Sequence, residues 1–439
     1  MTSDDVFFVD ADKLRIGLFV ELDVGWIVHP FPSGSFKLSN VQQIEAIQGL
    51  SLKRIRCIRS KSDPDAPVLG TMSTNVASVI ATAADGYDPV KEARKLAASQ
   101  AQEERKRRAD QLVSQARSLA VCERRFGEAI RQYRKTLELV QSQPVAAATE
   151  AARMVHGIVD EMMSEGESAI RLLSEAAGDK SSMHPVNVTI VSLLLGRAMG
   201  LPSADLQDLG LAAFLHDIGK SELPDRVRWL DDSFSTAEYK LYQDHVAKSL
   251  HLGKAMELSK PSLLAIAQHH EMVDGSGFPM RLKGDTLSTA TRILALINRY
   301  DNLCNPSRLA AALTPHEALS LIFAQMKSKF DAATLSAFIR MMGVYPPGSI
   351  VQLVDDRYGM VVSVNSSRPL KPRVIVHEPG VPRDEALILD LEHAPRVGIR
   401  RSLKPSMLPA AALDFLAPRQ RICYYFEKLV DPQMQEASS

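Results

Sequence analysis

Six of the eleven histidines in the 439-residue chain, His184, His216, His245, His251, His269 and His270, fall within one 87-residue stretch. Neutral imidazole is the commonest metal ligand near neutral pH, so such a cluster is a candidate cation site. Around FLHDIGK, the spacing of Leu209, Ala213, His216, Asp217 and Lys220 predicts one helical face carrying an imidazole, a carboxylate and an ammonium. In ATRILALINRYDNLC, the stripe Ala290, Leu294, Ile297, Asp301 and Cys304 places the Asp301 carboxylate on the apolar side. An ionised group buried there without a partner is strongly unfavourable, so Asp301 must meet a cation, take up a proton or bind a metal. Leu241, His245 and Leu252 run along the inward side of TAEYKLYQDHVAKSLHL. One inward histidine is ordinarily a satisfied core residue, but several from separate helices point to a shared metal.

No cysteine accompanies these residues, and an all-His/Asp donor set suits Fe, Mn, Zn or Ni better than a thiolate-selective ion. The candidates are too many for one coordination sphere. Two ions bridged by a carboxylate would use them, and ions roughly 3.5–4 Å apart with a bridging hydroxide nucleophile are the usual device for phosphoester hydrolysis. His251 should face elsewhere, and His29, His156, His316, His377 and His393 are isolated, so these six read as structural or surface residues.

The elements that position the cluster follow from composition and periodicity. The chain has 52 Lys+Arg, 52 Asp+Glu and 45% hydrophobic residues, which gives no bulk field for a nucleic acid polymer or an anionic membrane. Four separated cysteines without a CxxC pair argue against a disulfide framework, and the acidic opening MTSDDVFFVD is unlike a basic signal peptide. The cytoplasm is therefore the expected compartment, with no membrane span. The fold class expected is multidomain and mainly α. Residues 1–60 read as a small α+β module, 61–89 as a flexible linker, 90–177 as a long helical connector, 178–342 as an all-helical domain and 345–439 as a small β-rich module. Within the connector, Leu112, Ala116, Leu119, Glu123, Phe126, Ile130, Tyr133, Leu137 and Val140 form a heptad seam with one polar interruption. It packs either on the neighbouring domain or in a homodimeric coiled coil through residues 112–140. The charge run EERKRR at 103–108 reads as a solvated helix face.

FLHDIGK followed by HHEMVDGSGFP at 269–279 resembles the HD-GYP domain, a branch of the HD superfamily of metal-dependent phosphohydrolases whose members cleave the bacterial messenger cyclic di-GMP. The resemblance spans about 180–340, including MHPVNVTIVSLLLGRAMGL, DHVAKSLHL and RILALINRYDNL. LRIGLFVELDVGWIVHPFP is similar to the small module that often precedes such domains. The resemblance implies a cyclic di-GMP phosphodiesterase yielding pGpG and then GMP, two divalent ions (Fe or Mn), and signalling partners such as GGDEF-domain proteins. It implies His184, His216, Asp217, His245, His269, His270 and Asp301 as ligands, with Asp217 as bridge and Lys220 facing the scissile phosphate. Glu271 and Asp274 would support the ligands and shape the loop, in which Gly275 and Gly277 meet backbone conformations that a Cβ disfavours. Arg281, Lys283 and Arg308 are candidate phosphate contacts.

Four departures qualify the transfer. Phe278 stands where the family usually has Tyr, and Lys180 where some members place a Glu for a third metal, which implies two ions here. Arg308 is the single basic residue in NLCNPSRLAAAL, after Asp301. Pro185 directly follows His184 and predicts that this ligand sits at a helix start. Two other readings are a cyclic di-GMP sensor or adaptor with slow or absent turnover, and an HD-type hydrolase of another nucleotide phosphoester.

Overall fold

The computed structural model describes residues 6–21, 35–38, 41–48, 54–63, 89–174, 180–231, 233–365, 367–394 and 396–428. Most of the expected linker, 64–88, lies outside them, as does most of LRIGLFVELDVGWIVHPFP. The chain divides into two units, Met1–Glu92 and Ala93–Ser439.

In the first unit, β1 (Val6–Asp10), β2 (Phe19–Glu21), β3 (Ser35–Lys37) and β4 (Arg54–Ile58) form an antiparallel sheet in the order β1-β4-β2-β3, with helix α1 (Val41–Gln48). In β4, Ile55 and Cys57 turn into a core with Leu18, Val20, Leu38 and Ile47, while Arg54 and Arg56 turn outward. This period of two is the one that makes a half-buried strand.

The second unit starts on α2 (Pro89–Leu139) and α3 (Pro144–Met163), followed by strand β5 (Ser168–Leu172). Then come α4 (Lys180–Ala198), α5 (Ser203–Leu215), α6 (Thr236–Ala255), α7 (Lys260–Gln268), α8 (Thr289–Cys304), α9 (Pro315–Gln325) and α10 (Ala332–Met342). Local chemistry sets the helix starts. Ser235 and Glu238 make a reciprocal capping box on α6, Thr314 and Glu317 do so on α9, and Ser259 and Ser288 cap α7 and α8. The chain closes with β6 (Ile350–Leu353), β7 (Tyr358–Asn365), β8 (Arg373–Val376), β9 (Ile388–Asp390), β10 (Ile399–Leu403), α11 (Ala410–Leu416) and β11 (Tyr424–Lys428). Among the described residues no helix is long and apolar enough to cross a membrane.

Two features differ from the sequence reading, and a third decides between its alternatives for the α2 seam. First, the stretch 90–177 contains β5, which joins the C-terminal strands in a seven-stranded sheet with the path β10-β6-β7-β5-β11. All five residues of SAIRL are buried between β7 and β11. A strand covered on both faces shows no alternation, and five residues between helices leave no other mark. Secondly, Cys122, Phe126, Ala129, Ile130, Tyr133 and Val140 are buried in the core of this same chain. That half of the seam is therefore consumed by packing within the chain rather than left for a second copy. The interrupting Glu123 accepts a hydrogen bond from the backbone N–H of Ser174 at 3.0 Å. Farther up, α2 meets the C-terminal sheet through Gln115 and Ala386 and through Ser118 and Glu427. The charged residues 103–108 are exposed, as expected of a solvated face.

Thirdly, Pro185 lies inside α4 and His184 is its fifth residue, so this ligand sits beyond the helix start. Proline here removes one backbone hydrogen bond near the end of the helix, where the loss is smallest.

If the lower half of α2 belongs to this core, Phe126→Ala should lower the unfolding free energy by about 3–5 kcal/mol. Urea unfolding followed by circular dichroism checks this, and a loss under about 1 kcal/mol contradicts it.

Candidate metal centre and its cavity

α5 stops at Leu215, His216 caps it, and Asp217 breaks the helix at φ −102° and ψ 8° before a short 3₁₀ turn, Ile218–Glu222. His216, Asp217 and Lys220 therefore do not share a continuous helical face with Leu209; the break turns the Asp217 carboxylate toward its neighbours. The 3₁₀ turn lies flush on α6, and a Cβ on Gly219 would stand 2.3 Å from the backbone nitrogen of Ser249. On α6 the inward residues are Tyr242, His245, Val246, Ser249 and Leu252, whereas Leu241 is exposed. The expected stripe was thus one residue out of phase at Leu241, although His245 itself is fully buried.

Four helices, α4, α5, α6 and α7, bring histidines to Asp217. Its Oδ2 lies 3.5 Å from His184 Nε2 and 3.4 Å from His216 Nε2; its Oδ1 lies 3.5 Å from His245 Nε2 and 3.7 Å from His269 Nε2. His270 Nε2 completes the second set at 3.1 Å from His245 Nε2. One carboxylate thus faces two donor groups, His184 with His216 and His245 with His269 and His270.

The tautomers follow from the backbone. Nδ1–H of His216 donates to the Ala213 carbonyl at 2.7 Å, that of His269 to Ile266 at 2.7 Å, and that of His245 to Tyr242. Each bond leaves a lone pair on Nε2 directed at the centre. Burial and the Lys220 charge hold the His245 pKa down at about 4, and burial with neighbouring imidazoles holds His269 and His270 well below the ordinary histidine value. These three imidazoles are therefore neutral near neutral pH. Burial opposes charge on Asp217, but His216 and Lys220 outweigh it and keep the carboxyl well below its usual range. For His184 burial is likewise outweighed, by the Asp217 and Asp301 carboxylates, and its pKa is raised.

His184 Nε2, His216 Nε2 and Asp217 Oδ1 are buried without a hydrogen-bond partner. Buried polar atoms are ordinarily satisfied, and lone pairs gathered around an ionised carboxylate are satisfied by cations. The residues fit divalent metal ions.

Asp301 lies elsewhere than the expected first coordination sphere. Its Oδ2 accepts from His184 Nδ1, and its Oδ1 accepts from the side-chain amides of Asn187 and Asn305. It orients His184 and belongs to neither donor group. The apolar stripe containing it is present as read, with Leu294, Ile297, Asp301 and Cys304 buried. Periodicity identified the buried charge; the partner that satisfied it was another candidate ligand.

The loop after α7 holds the second donor set. Glu271 is buried and accepts from the backbone N–H groups of Met280 at 2.6 Å and Leu282 at 2.8 Å, while Asp274 accepts from Ser276 at 2.9 Å. Gly275 adopts φ +79°, as expected of a residue chosen for its backbone. Gly277 is needed for space instead: a Cβ there would lie 2.5 Å from the His270 carbonyl oxygen and from Glu271 Cα. Phe278 stacks on His270 with ring centroids 4.4 Å apart, so the aromatic packing at this position is present without a hydroxyl.

Above the centre opens a cavity of about 480 Å³. Lys220 lies at its floor with Nζ 2.5 Å from Asp217 Oδ2 and over the rings of Trp229 and Tyr242. Arg299, Arg308 and Lys329 add positive charge to the lining, against Asp231 as its single carboxylate among the described residues. Arg308 faces Asp231 at 3.4 Å. The exposed residues Arg281 and Lys283 are outside this lining, because the loop directs its Phe278 side inward. The sequence reading missed Arg299, which precedes the Asp301 stripe on α8, and Lys329, which follows α9; neither carries a local motif. Trp229 and Tyr239 were also missed, and both line the cavity with Tyr242 and Phe278.

A carboxylate facing two histidine sets, next to a cavity with cationic lining, is a candidate metal centre with an anion-compatible cavity beside it. Residues 124–334 match the HD domain family. That match takes in the lower half of α2, which the core also claims. Residues 8–151 match a domain of unknown function, DUF3391. A cyclic di-GMP phosphodiesterase of Pseudomonas aeruginosa is 26% identical over 377 residues, 84% of either chain. The cyclic di-GMP phosphodiesterase PdeB of Borreliella burgdorferi is 23% identical, covering 44% of this chain and 51% of that one. A 3'3'-cGAMP-specific phosphodiesterase of Vibrio cholerae is 25% identical, covering 41% and 39%.

Two outcomes are expected. Gly277→Ala should displace His270 and weaken Mn2+ binding roughly 10–100-fold, the scale seen when ligand support is lost, as titration calorimetry would read; unchanged affinity contradicts the packing argument. In metal-free protein, unfolded His245 protonates near pH 6.5 and folded His245 only near 4, so stability from this group is present above 6.5 and lost as pH falls toward 4. Urea unfolding at pH 7 and 4.5 should show wild type losing about 2–3 kcal/mol more than His245→Asn; equal losses contradict it.

Proposed function

We propose that this protein hydrolyses cyclic di-GMP, adding water across one phosphodiester to give linear pGpG and then, at the second phosphodiester, GMP. The observation that carries the reading is the placement of Asp217 between two histidine sets, with Lys220, which it holds, lining a cavity together with Arg299, Arg308 and Lys329. A cyclic dinucleotide presents two phosphates and two flat bases, which that lining matches with cations and with Trp229, Tyr239, Tyr242 and Phe278. The named relatives support the same substrate class.

His184, His216 and Asp217 would hold one divalent ion and Asp217, His245, His269 and His270 a second, each Fe or Mn. When bound, the pair supplies positive charge that polarises a phosphate oxygen and activates water at neutral pH. Lys220 binds a non-bridging phosphate oxygen and neutralises charge that grows in the transition state. It is held in place by Asp217 and by the faces of Trp229 and Tyr242. Arg299 and Lys329 orient the second phosphate, which supplies the positive charge that the segment after Asp301 lacks. Phe278 fixes His270 and shields the inner wall from water.

Anaerobically purified protein supplied with Mn2+ or Fe2+ should convert cyclic di-GMP to pGpG, with cGAMP assayed alongside. Asp217→Ala should abolish turnover, and Lys220→Ala should lower kcat about 10²–10³-fold, the usual effect of removing one transition-state donor. Arg281→Ala and Lys283→Ala should change kcat/KM by less than about twofold, since exposed charges outside the cavity contribute little. Metal-loaded wild type that leaves cyclic di-GMP intact would overturn the reading.

A further inference from the structure

Two buried asparagines with no part in the chemistry described so far join the centre to the C-terminal strand. Asn187 on α4 and Asn305 just after α8 are almost fully buried, as is Asp301 between them. The Asn305 amide donates to Asp301 Oδ1 at 2.9 Å and to the Ile422 carbonyl at 2.8 Å, while its own oxygen accepts from the Ile422 backbone N–H at 2.8 Å. The Asn187 amide donates to the same Asp301 oxygen and to the Ile422 carbonyl at 3.3 Å; its oxygen accepts from the Tyr424 N–H at 2.8 Å. Every donor of both amides is used.

We propose that Asn187 and Asn305 are positioning residues through which the C-terminal segment Ile422–Tyr424 sets the metal affinity of the His184 side of the centre. Asp301 Oδ2 holds His184 Nδ1, and Asp301 can keep that orientation only while its other oxygen is fixed. Both groups that fix it are themselves aligned by the backbone of Ile422 and Tyr424, more than a hundred residues away in sequence. The strand that follows is held in turn by α2, where Ser118 donates to Glu427 at 2.6 Å and Cys122 meets the Phe426 carbonyl. Removing either asparagine leaves Asp301 with one amide donor and frees His184 to rotate. By linkage, occupancy of the centre must tighten the hold on Ile422 and Tyr424 to the same degree.

The inference rests on reading the centre as a metal site, and one experiment separates their failures. Full-length metal-free wild type, Asn187→Leu and Asn305→Leu, whose new side chains match the old in shape, are titrated with Mn2+ by calorimetry, with melting followed before and after loading. Each variant should bind one ion roughly 10–100-fold more weakly, as when a ligand's hydrogen-bond partner is lost, and gain less melting temperature from metal. Hydrogen exchange on the wild type gives a second readout independent of variant folding: Mn2+ should slow exchange at Ile422 and Tyr424 more than at β6–β8. Variants that melt lower yet bind Mn2+ like wild type, or exchange that slows equally across the sheet, would overturn the inference alone. Wild type that takes up no Mn2+ would overturn the metal reading and this inference with it.

Discussion

The arrangement depends on one carboxylate serving two sides. Asp217 faces a pair of histidines with one oxygen and a trio with the other, all buried but the half-buried His270. This requires that α5 end at Leu215, that the chain turn sharply, and that α6 approach closely enough for His245 to reach the far oxygen. The flush contact of Gly219 with the α6 backbone provides the approach, and the Lys220 ammonium balances part of the charge. His184 Nε2, His216 Nε2 and Asp217 Oδ1 have no protein hydrogen-bond partner, and divalent cations are the chemistry that satisfies them. The cavity, its cations and its aromatic walls then follow as the means of bringing an anionic ligand to that point.

Much of the centre was legible because its signals are local. His216–Asp217 and His269–His270 are adjacent in sequence, and the loop DGSGFP announces its turns. The apolar stripe of α8 correctly marked Asp301 as buried, since helical periodicity reports burial directly. It did not report the partner: Asn187 and Asn305 are ordinary polar letters until the fold sets them beside Asp301. Arg299 and Lys329 stayed hidden for the same reason, because a cation lining a cavity between helices has no spacing rule of its own. Arg281 and Lys283, prominent beside the glycine loop, prove to be exposed.

The fold shows a similar division. Long periodic helices and alternating strands were readable, and α2 appeared as a heptad seam. Its destination was decided by tertiary packing, with Phe126 and Tyr133 entering the core of their own chain. β5 escaped because both its faces are covered, and with it the fact that the C-terminal strands share one sheet with a segment preceding the metal ligands. Through β5, β11 and the two asparagines, the C-terminal region is part of the frame of the centre.

The central claim is that Asp217 joins two cations into one centre. Electron paramagnetic resonance of the Mn(II)-loaded protein tests it most directly, because two manganese ions sharing a bridging carboxylate are magnetically coupled and isolated ions are not. The account predicts two manganese ions per chain and a coupled spectrum that collapses to an uncoupled one in Asp217→Asn. An uncoupled signal from wild type at full loading would contradict it.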